Sequence, residues 1–514
     1  MALHKDIYRE FEDVVGPEYI CDDPAIMPSY HGTEFAAVIL PENTAQVQAI
    51  IKLCNKHRIP FRPVCTGWTG KFAPGFLYID LRRMNRIIEI NEKNMYAVVE
   101  PYVITAQLQA ELMKRGLHLN VKGAGSNCSA MLRGHGHLDQ TTSGDDRNHL
   151  AIEWVTPAGD IVRSGSLGSS DEWFCGDGPG PSLRSILTSA VPPGVTPGVF
   201  TKAAMKVYHW PGPAQFPVTG VSPNYQLSEI PPNMMARYYS FPSVEKMWQA
   251  EIKIGEAEIA FELMGFNIAM VAANISTSNE QEEENFKRLS KEIQGPGFFI
   301  ILAGNSAADF AYKQRVLNQI VNDNSGKSVT SLEDPRTEGI LLCQCIRISA
   351  SIRETFRPGG MFKSIPVMGQ RDLTIRWAIG AGKAKEPLIE KGLIVDDGGA
   401  AFGWGVEQGH LGKTEIFCKY DPHNEVANQA VEDWHKEQSD RAFRENYFAL
   451  LIGQAVEDWH KEQSDRAFKE RYFALLIGQN AEIGRALSNY DKWWNEIQKS
   501  FDPNRVSPEG GALV

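Results

Sequence analysis

The sequence predicts an α+β chain in which a strand–helix–strand unit leads and a region of alternating helices and strands follows. Three observations predict it. Ala37-Val-Ile-Leu-Pro41 is apolar and strand-like, Thr44 to His57 carries helical spacing, and Ile59 to Val64 is a second strand. Residues 233–425 alternate helix and strand patterns. A chain of 514 residues exceeds what one core usually fills, so two domains, or one large domain plus a cap, are expected.

Taken in order, residues 1–36 read as a helical lead-in with a Pro-containing connection. The strand ending at Val64 opens into the turn Thr66-Gly67-Trp68-Thr69-Gly70. Such a turn leaves backbone N–H groups able to hold phosphate oxygens, although an ordinary tight turn uses the same residues. Leu77 to Leu81 and Tyr96 to Pro101 are further strands, Ile104 to Arg115 a helix, and Gly116 to Asn120 a short strand. Gly123 to His137 is a long irregular loop of small and polar residues. A Pro/Gly-rich linker, Trp210 to Pro232, closes the first half. In the second half Ser243 to Ile254 and Ala307 to Asn322 read as helices, and Phe298 to Leu302 and Ile340 to Ser349 as strands. On that reading Cys343 and Cys345 share one strand face as two small residues.

Composition is ordinarily globular, with 43% hydrophobic and 22% charged residues. The net charge of −11 argues against a nucleic-acid or anionic-membrane partner. The charged start, Met1 to Glu10, lacks the apolar region of a signal peptide, and no apolar run reaches the ~20 residues of a bilayer span. A soluble, cytoplasmic protein is the expectation. The eight cysteines form no Cys-x-x-Cys, so no zinc or iron–sulfur framework is expected, and no metal site is assigned. Residues 429–453 and 454–478 are a tandem repeat of 25 residues differing only at Arg444/Lys469 and Asn446/Arg471. Two copies are too few for a solenoid, and the repeat is given no functional weight.

The order of pieces around the turn is more specific than its glycines. Leu40-Pro41-Glu42-Asn43-Thr44-Ala45-Gln46-Val47, the Gly/Thr turn, and Asp80-Leu81-Arg82-Arg83-Met84-Asn85 resemble the FAD-binding domain of the vanillyl-alcohol oxidase / p-cresol methylhydroxylase superfamily. Leu150 to Val155, Ala158 to Gly165, Gly178-Pro-Gly-Pro181 and Thr196 to Val207 extend the resemblance, and Asp502-Pro503-Asn504 with Pro508 resembles the family's closing segment, which returns to the flavin. Pro192-Pro-Gly-Val195 stands where the family has Gly-Ser-Glu-Gly. The resemblance implies a two-subdomain, PCMH-type FAD-binding domain over 37–213, an α/β cap over 214–425, and a C-terminal helical segment over 426–514.

It also implies FAD and the residues that hold it: Thr66, Gly67, Trp68, Thr69 and Gly70 in the turn; Gly125, Ser126, Asn127, Arg133, Gly134, His135 and His137 in the second loop; then Gly144, Asp145, His149, Gly198 and Val199. His135 or His137 is either a covalent flavin anchor or a solvated loop histidine. The implied chemistry is removal of a hydride from a C–H next to oxygen onto flavin N5, which calls for a base near the transferring carbon. His410 is the first such residue. It lies where glycolate-oxidase-like relatives carry a metal-binding His-x-Gly-Asp-Gly-Asn-x-His, of which this chain keeps one Gly-His. A carboxylate substrate calls for an arginine, with Arg353, Arg357, Arg371 and Arg376 as the choices and Arg353 preferred. Tyr420 and Tyr102 are phenol-binding or proton-relay groups, or core tyrosines. The readings are an FAD-dependent dehydrogenase of an alcohol or 2-hydroxy acid passing electrons to a cytochrome or iron–sulfur subunit, a para-alkylphenol oxidising enzyme, and a flavin-bearing relay subunit. An oligomer is expected in each case.

Overall fold

The computed structural model describes residues 3–30, 34–66, 74–119, 129–131, 149–173, 198–220, 226–346, 361–399, 401–406, 408–421, 423–444, 448–449, 496 and 499–507. Helix α1 (Lys5–Val15) packs on helix α2 (Thr44–His57). The predicted bounds of α2 match because both ends carry strong signals. Asn43 accepts from the Gln46 N–H at 3.0 Å while the Gln46 side chain accepts from the Glu42 N–H at 2.8 Å. Arg58 leaves the helix in the left-handed region, φ 53°.

A first sheet contains β1 (Ile20–Cys21), β2 (Ala37–Ile39), β3 (Phe61–Val64) and β4 (Leu77–Asp80) in the order β1-β2-β4-β3, with β4 parallel to both β2 and β3. β2, β3 and β4 are buried on both faces, as parallel strands usually are. A second, antiparallel sheet contains β5 (Ile87–Asn91), β6 (Tyr96–Val99), β8 (His149–Val155), β9 (Ile161–Arg163) and β10 (Val199–His209) in the order β5-β6-β10-β8-β9. β7 (Leu117–Leu119), which follows helix α3 (Thr105–Met113), pairs with the end of β10. Glu153 of β8 ties the second sheet to the start of helix α2. It accepts from Thr44 at 2.8 Å, Lys202 at 2.7 Å and Thr201 at 3.2 Å. Burial alone would raise its carboxyl, but Lys202, Thr44 and Arg163 together hold it below the ordinary value.

After the short hairpin β11 (Val218–Thr219) and β12 (Gln226–Leu227), the second half forms an antiparallel sheet. Its strands are β13 (Met234–Ser240), β14 (Glu262–Phe266), β15 (Gly297–Ala303), β16 (Lys327–Ser328), β17 (Met361–Gln370), β18 (Ala401–Val406), β19 (Leu411–Tyr420) and β20 (Phe448–Ala449). The order is β16-β13-β15-β14-β18-β19-β17-β20. Helices α4 (Val244–Ala257) and α7 (Ala307–Asp323) cover one face, where Met247, Ile254, Phe298, Ile300 and Leu317 share a core. Helices α5 (Ile268–Asn274), α6 (Asn279–Glu292) and α8 (Pro335–Ile346) lie on the other, with Phe299, Ile301, Met264 and Leu341. Helices α9 (Arg371–Lys383) and α10 (Glu425–Arg444) enclose a third core with Ile365, Ile416 and Trp377. The first repeat copy begins inside α10; the second lies outside the described residues.

One element departs from expectation. Ile340 to Ile346 belongs to helix α8 rather than to a strand, so Cys343 and Cys345 do not share a strand face. A short apolar run fits either period, and the decision lies upstream. Asp334 accepts from the Thr337 N–H at 3.1 Å, Pro335 occupies the first helical position, and Glu338 is drawn inward to accept from the Ala236 N–H at 2.9 Å.

Candidate flavin site and cap face

Several strand ends of the first half converge beside the Gly/Thr turn. Cys65, just after β3, donates its thiol to the Pro101 carbonyl at 2.7 Å. The Ser129 hydroxyl donates to the same oxygen at 2.5 Å and accepts from the Met131 N–H at 3.1 Å. The Ala130 N–H reaches the Val103 carbonyl at 2.7 Å. Nε2 of the buried His149 stands 2.8 Å from the Met131 carbonyl. The head of the first loop and the start of the second are thereby fixed to one another through the backbone.

Thr66 begins the turn, and its hydroxyl oxygen is buried without a hydrogen-bond partner. An orphaned hydroxyl there is costly unless a ligand completes it. Gly198 sits at φ +89°, and a Cβ would stand 2.3 Å from the Val155 carbonyl oxygen. Its N–H donates to the Ser507 hydroxyl at 3.1 Å. Ser507 is held in turn by Asp502, which accepts from the Val506 and Ser507 N–H groups at 2.9 and 3.0 Å. The Phe61 N–H donates to the Val506 carbonyl at 3.0 Å, so the closing segment lies beside β3. These residues fit an FAD: an unfilled hydroxyl heads the phosphate turn, and a glycine keeps the backbone close where the chain end crosses. Gly67 to Gly70, Gly125 to Asn127, Arg133 to His135, His137, Gly144 and Asp145 lie outside the described residues.

Asp80, in the Asp80-Leu-Arg-Arg-Met-Asn85 motif, is structural. It receives the Tyr30 hydroxyl at 2.7 Å and Arg82 at 2.6 Å, and burial next to that carboxylate raises the Tyr30 phenol. Tyr102 stands half-buried near Asp80, with its phenol raised chiefly by burial.

In the cap, His410 is exposed at the tip of the β18–β19 hairpin. Its carbonyl accepts from the Arg371 N–H at 3.2 Å, and the preceding Gly409 carbonyl accepts from Trp248 Nε1 of α4 at 3.0 Å. Tyr420 is buried in the α9/α10 core beside Val431 and Trp434, and burial raises its phenol. The structure does not bring Tyr420 and His410 together, since they stand at opposite ends of β19. Arg371 is wholly buried and gripped by Glu251 of α4 at 2.9 and 3.0 Å. Its guanidinium lies over Gly265 and Gly403, cross-strand partners whose missing side chains make the room. Arg376 pairs with Glu245. Both are structural ion pairs, while Arg353 and Arg357 lie outside the described residues. Lys413 and Glu415 form an ion pair at 3.5 Å whose side chains are 6% and 13% exposed.

Residues 35–165 match the FAD binding domain family. The chain is 31% identical over 188 residues to the glycolate oxidase subunit GlcD of Bacillus subtilis, covering 33% of this chain and 39% of that protein. It is 32% identical over 171 residues to the flavoprotein subunit of 4-cresol dehydrogenase [hydroxylating] from Pseudomonas putida, covering 30% and 32%. Less than two fifths of either relative's length is therefore matched. The crystal structure of p-cresol methylhydroxylase with substrate bound superposes with a TM-score of 0.72 at 15% identity, over 98% of this chain and 95% of that one, which shows the fold. Residues 35–165 are an FAD-binding domain, and the fold of the chain as a whole is that of p-cresol methylhydroxylase. The second-half sheet runs from residue 234 onward, in the region for which the resemblance implies a cap. Among the described residues no helix is long and apolar enough to cross a membrane.

Proposed function

We propose that the protein is an FAD-dependent dehydrogenase that oxidises a 2-hydroxy acid or related alcohol and passes the electrons to a separate acceptor subunit. The observation that carries this reading is the buried, partnerless Thr66 hydroxyl at the head of the phosphate turn, inside the FAD-binding domain. Likeness to a glycolate oxidase subunit supports the substrate class, glycolate being a 2-hydroxy acid. Thr66, His149, Gly198 and Val199 are the described residues assigned to holding FAD. Bound FAD supplies a two-electron acceptor beside the substrate carbon. The chain's own part is to hold the substrate, exclude water and take the hydroxyl proton. His410 is assigned that proton, and Tyr420 is assigned to packing behind β19.

A second reading, oxidation of a para-alkylphenol, is favoured by the likeness to the 4-cresol dehydrogenase flavoprotein subunit and to the p-cresol methylhydroxylase fold. The word subunit in that relative's name also supports a partner chain that accepts the electrons. Anaerobic titration of the purified flavoprotein with glycolate, D-lactate and p-cresol separates the readings. Bleaching of the visible flavin bands by a hydroxy acid is expected. Bleaching by p-cresol alone would transfer the assignment to the phenol class, and bleaching by none would leave an electron-relay subunit.

A further inference from the structure

The first repeat copy enters a fitted seat. Val431, Trp434 and Gln438 are buried at helical spacing on the face of α10 that meets β17 and β19. Trp434 Nε1 donates to the Ala381 carbonyl of α9 at 3.3 Å. In return Trp377 Nε1 of α9 donates to the Gln438 carbonyl at 3.3 Å. Arg441 fills the space over Gly380, where a Cβ would stand 2.3 Å from Nη1. Glu432 pairs with Lys363 of β17, and Phe448 and Ala449 then add β20 to the edge of that strand.

Each of these groups recurs in the second copy, as Val456, Glu457, Trp459, Gln463 and Arg466, with Phe473-Ala474 standing for β20. The two positions at which the copies differ, 444 and 446, are not among them. Residues 454–474 therefore carry every side chain that the seat grips in 429–449.

Connectivity allows an exchange. From Ala474 the chain to Lys499 still reaches roughly 80 Å when extended, against a radius of gyration of roughly 24 Å for a chain this long. Seating the second copy lengthens the connection from Tyr420 about fourfold and halves the one to Lys499, a net closure penalty of roughly threefold. What precedes each copy sets the preference. Asn424 caps α10 by accepting from the Val426 and Ala427 N–H groups, both at 3.1 Å. Ahead of the second copy Ala449 holds that place, and Ile452 that of the buried Ala427. Both differences favour the first copy.

We propose that this seat against α9, β17 and β19 is exchangeable, and that residues 454–474 take it when the first copy is damaged or displaced. The core of the cap is then kept by an identical set of side chains, and one repeat length of chain passes from behind the seat to ahead of it.

The test is a double-mutant cycle in the FAD-loaded full chain, with folding constants read from urea unfolding by far-UV circular dichroism. Trp459→Ala alone is expected to match the wild type. Trp434→Ala is expected to lose less than a buried tryptophan ordinarily does, because Trp459 enters its place. The double variant is expected to fall at least about tenfold below Trp434→Ala, further than the two single losses together predict. A double variant equal to Trp434→Ala overturns the proposal whatever the size of that loss, complete unfolding included. Losses that simply add also overturn it, since they give Trp459 a site of its own.

Discussion

The flavin half and the cap solve the problem of placing polar groups indoors in different ways. In the flavin half, side chains hold backbone: Cys65 and Ser129 share the Pro101 carbonyl, His149 meets the Met131 carbonyl, and Ser507 takes the Gly198 N–H. In the cap, buried charge meets buried charge, as in Arg371 with Glu251 and Lys385 with Asp397. Backbone-holding contacts fix loop geometry, and they reach as far in sequence as Gly198 to Ser507, 309 positions apart. Charge pairs pin one element against another, as Glu251 of α4 pins Arg371 at the start of α9. The difference teaches where each half is brittle.

The largest effect is expected at Glu251. Glu251→Ala leaves the Arg371 guanidinium buried and unpaired, which should cost about 3–5 kcal/mol. Replacing both residues together, Glu251→Met with Arg371→Met, should recover most of that loss, because a buried pair gains little over apolar packing. Denaturant midpoints for the single and double variants check this; equal losses in both would mean that Arg371 acts through packing alone. FAD content per folded molecule should be unchanged in either.

Gly198→Ala should lose somewhat less stability, about 2–3 kcal/mol, but should strip FAD. Its φ of +89° strains any side chain, and the Cβ has no room against Val155 and Trp154. The ratio of flavin to protein absorbance measures the loss. Retention of FAD at wild-type levels would show that the crossing of the chain end does not shape the cofactor site.

Much of this contrast was legible in the sequence, but unevenly. The bounds of α2 and the positions of β2, β3 and β4 could be read because Asn43, Gln46 and Asp80 act within a few residues of themselves. The closing Asp502-Pro-Asn was likewise visible as a motif. Arg371 was one arginine among four, since its partner lies 120 positions away and the two glycines that admit it look like any others. Ile340 to Ile346 was misjudged because an apolar run has no period of its own, and the helix was decided by Asp334 and Glu338.

The seam between the halves supplies the third test. His118 of β7 stacks on Trp210 with ring centroids 5.2 Å apart and meets Phe261 of the cap edge-on at 5.2 Å. Neither ring nitrogen has a hydrogen-bond partner, and burial pushes its pKa down from 6.5 to about 3. The folded state therefore keeps it neutral. Its stabilising effect is complete above pH 6.5 and declines as the unfolded chain takes up a proton that the folded chain refuses. Between pH 6.5 and 5 the wild type should lose about 2 kcal/mol that His118→Phe does not. Parallel midpoint–pH curves for the two proteins would refute a burial-driven neutral imidazole at the seam.

The smallest expected effect separates backbone holding from charge pairing most cleanly. Ser507→Ala removes the acceptor for the Gly198 N–H but leaves the Asp502 carboxylate on the Val506 and Ser507 N–H groups, so the closing segment keeps its turn. One orphaned N–H costs about 1–2 kcal/mol, too little to unfold a chain of this size. If the flavin half is organised by such contacts, the change appears instead as faster FAD release on dilution, with the melting of the cap untouched. Faster release is the expected outcome, and stopped-flow recovery of flavin fluorescence measures it. A release rate equal to the wild type's would mean that Gly198 is positioned by β10 alone, and that the chain end lies beside the site without shaping it.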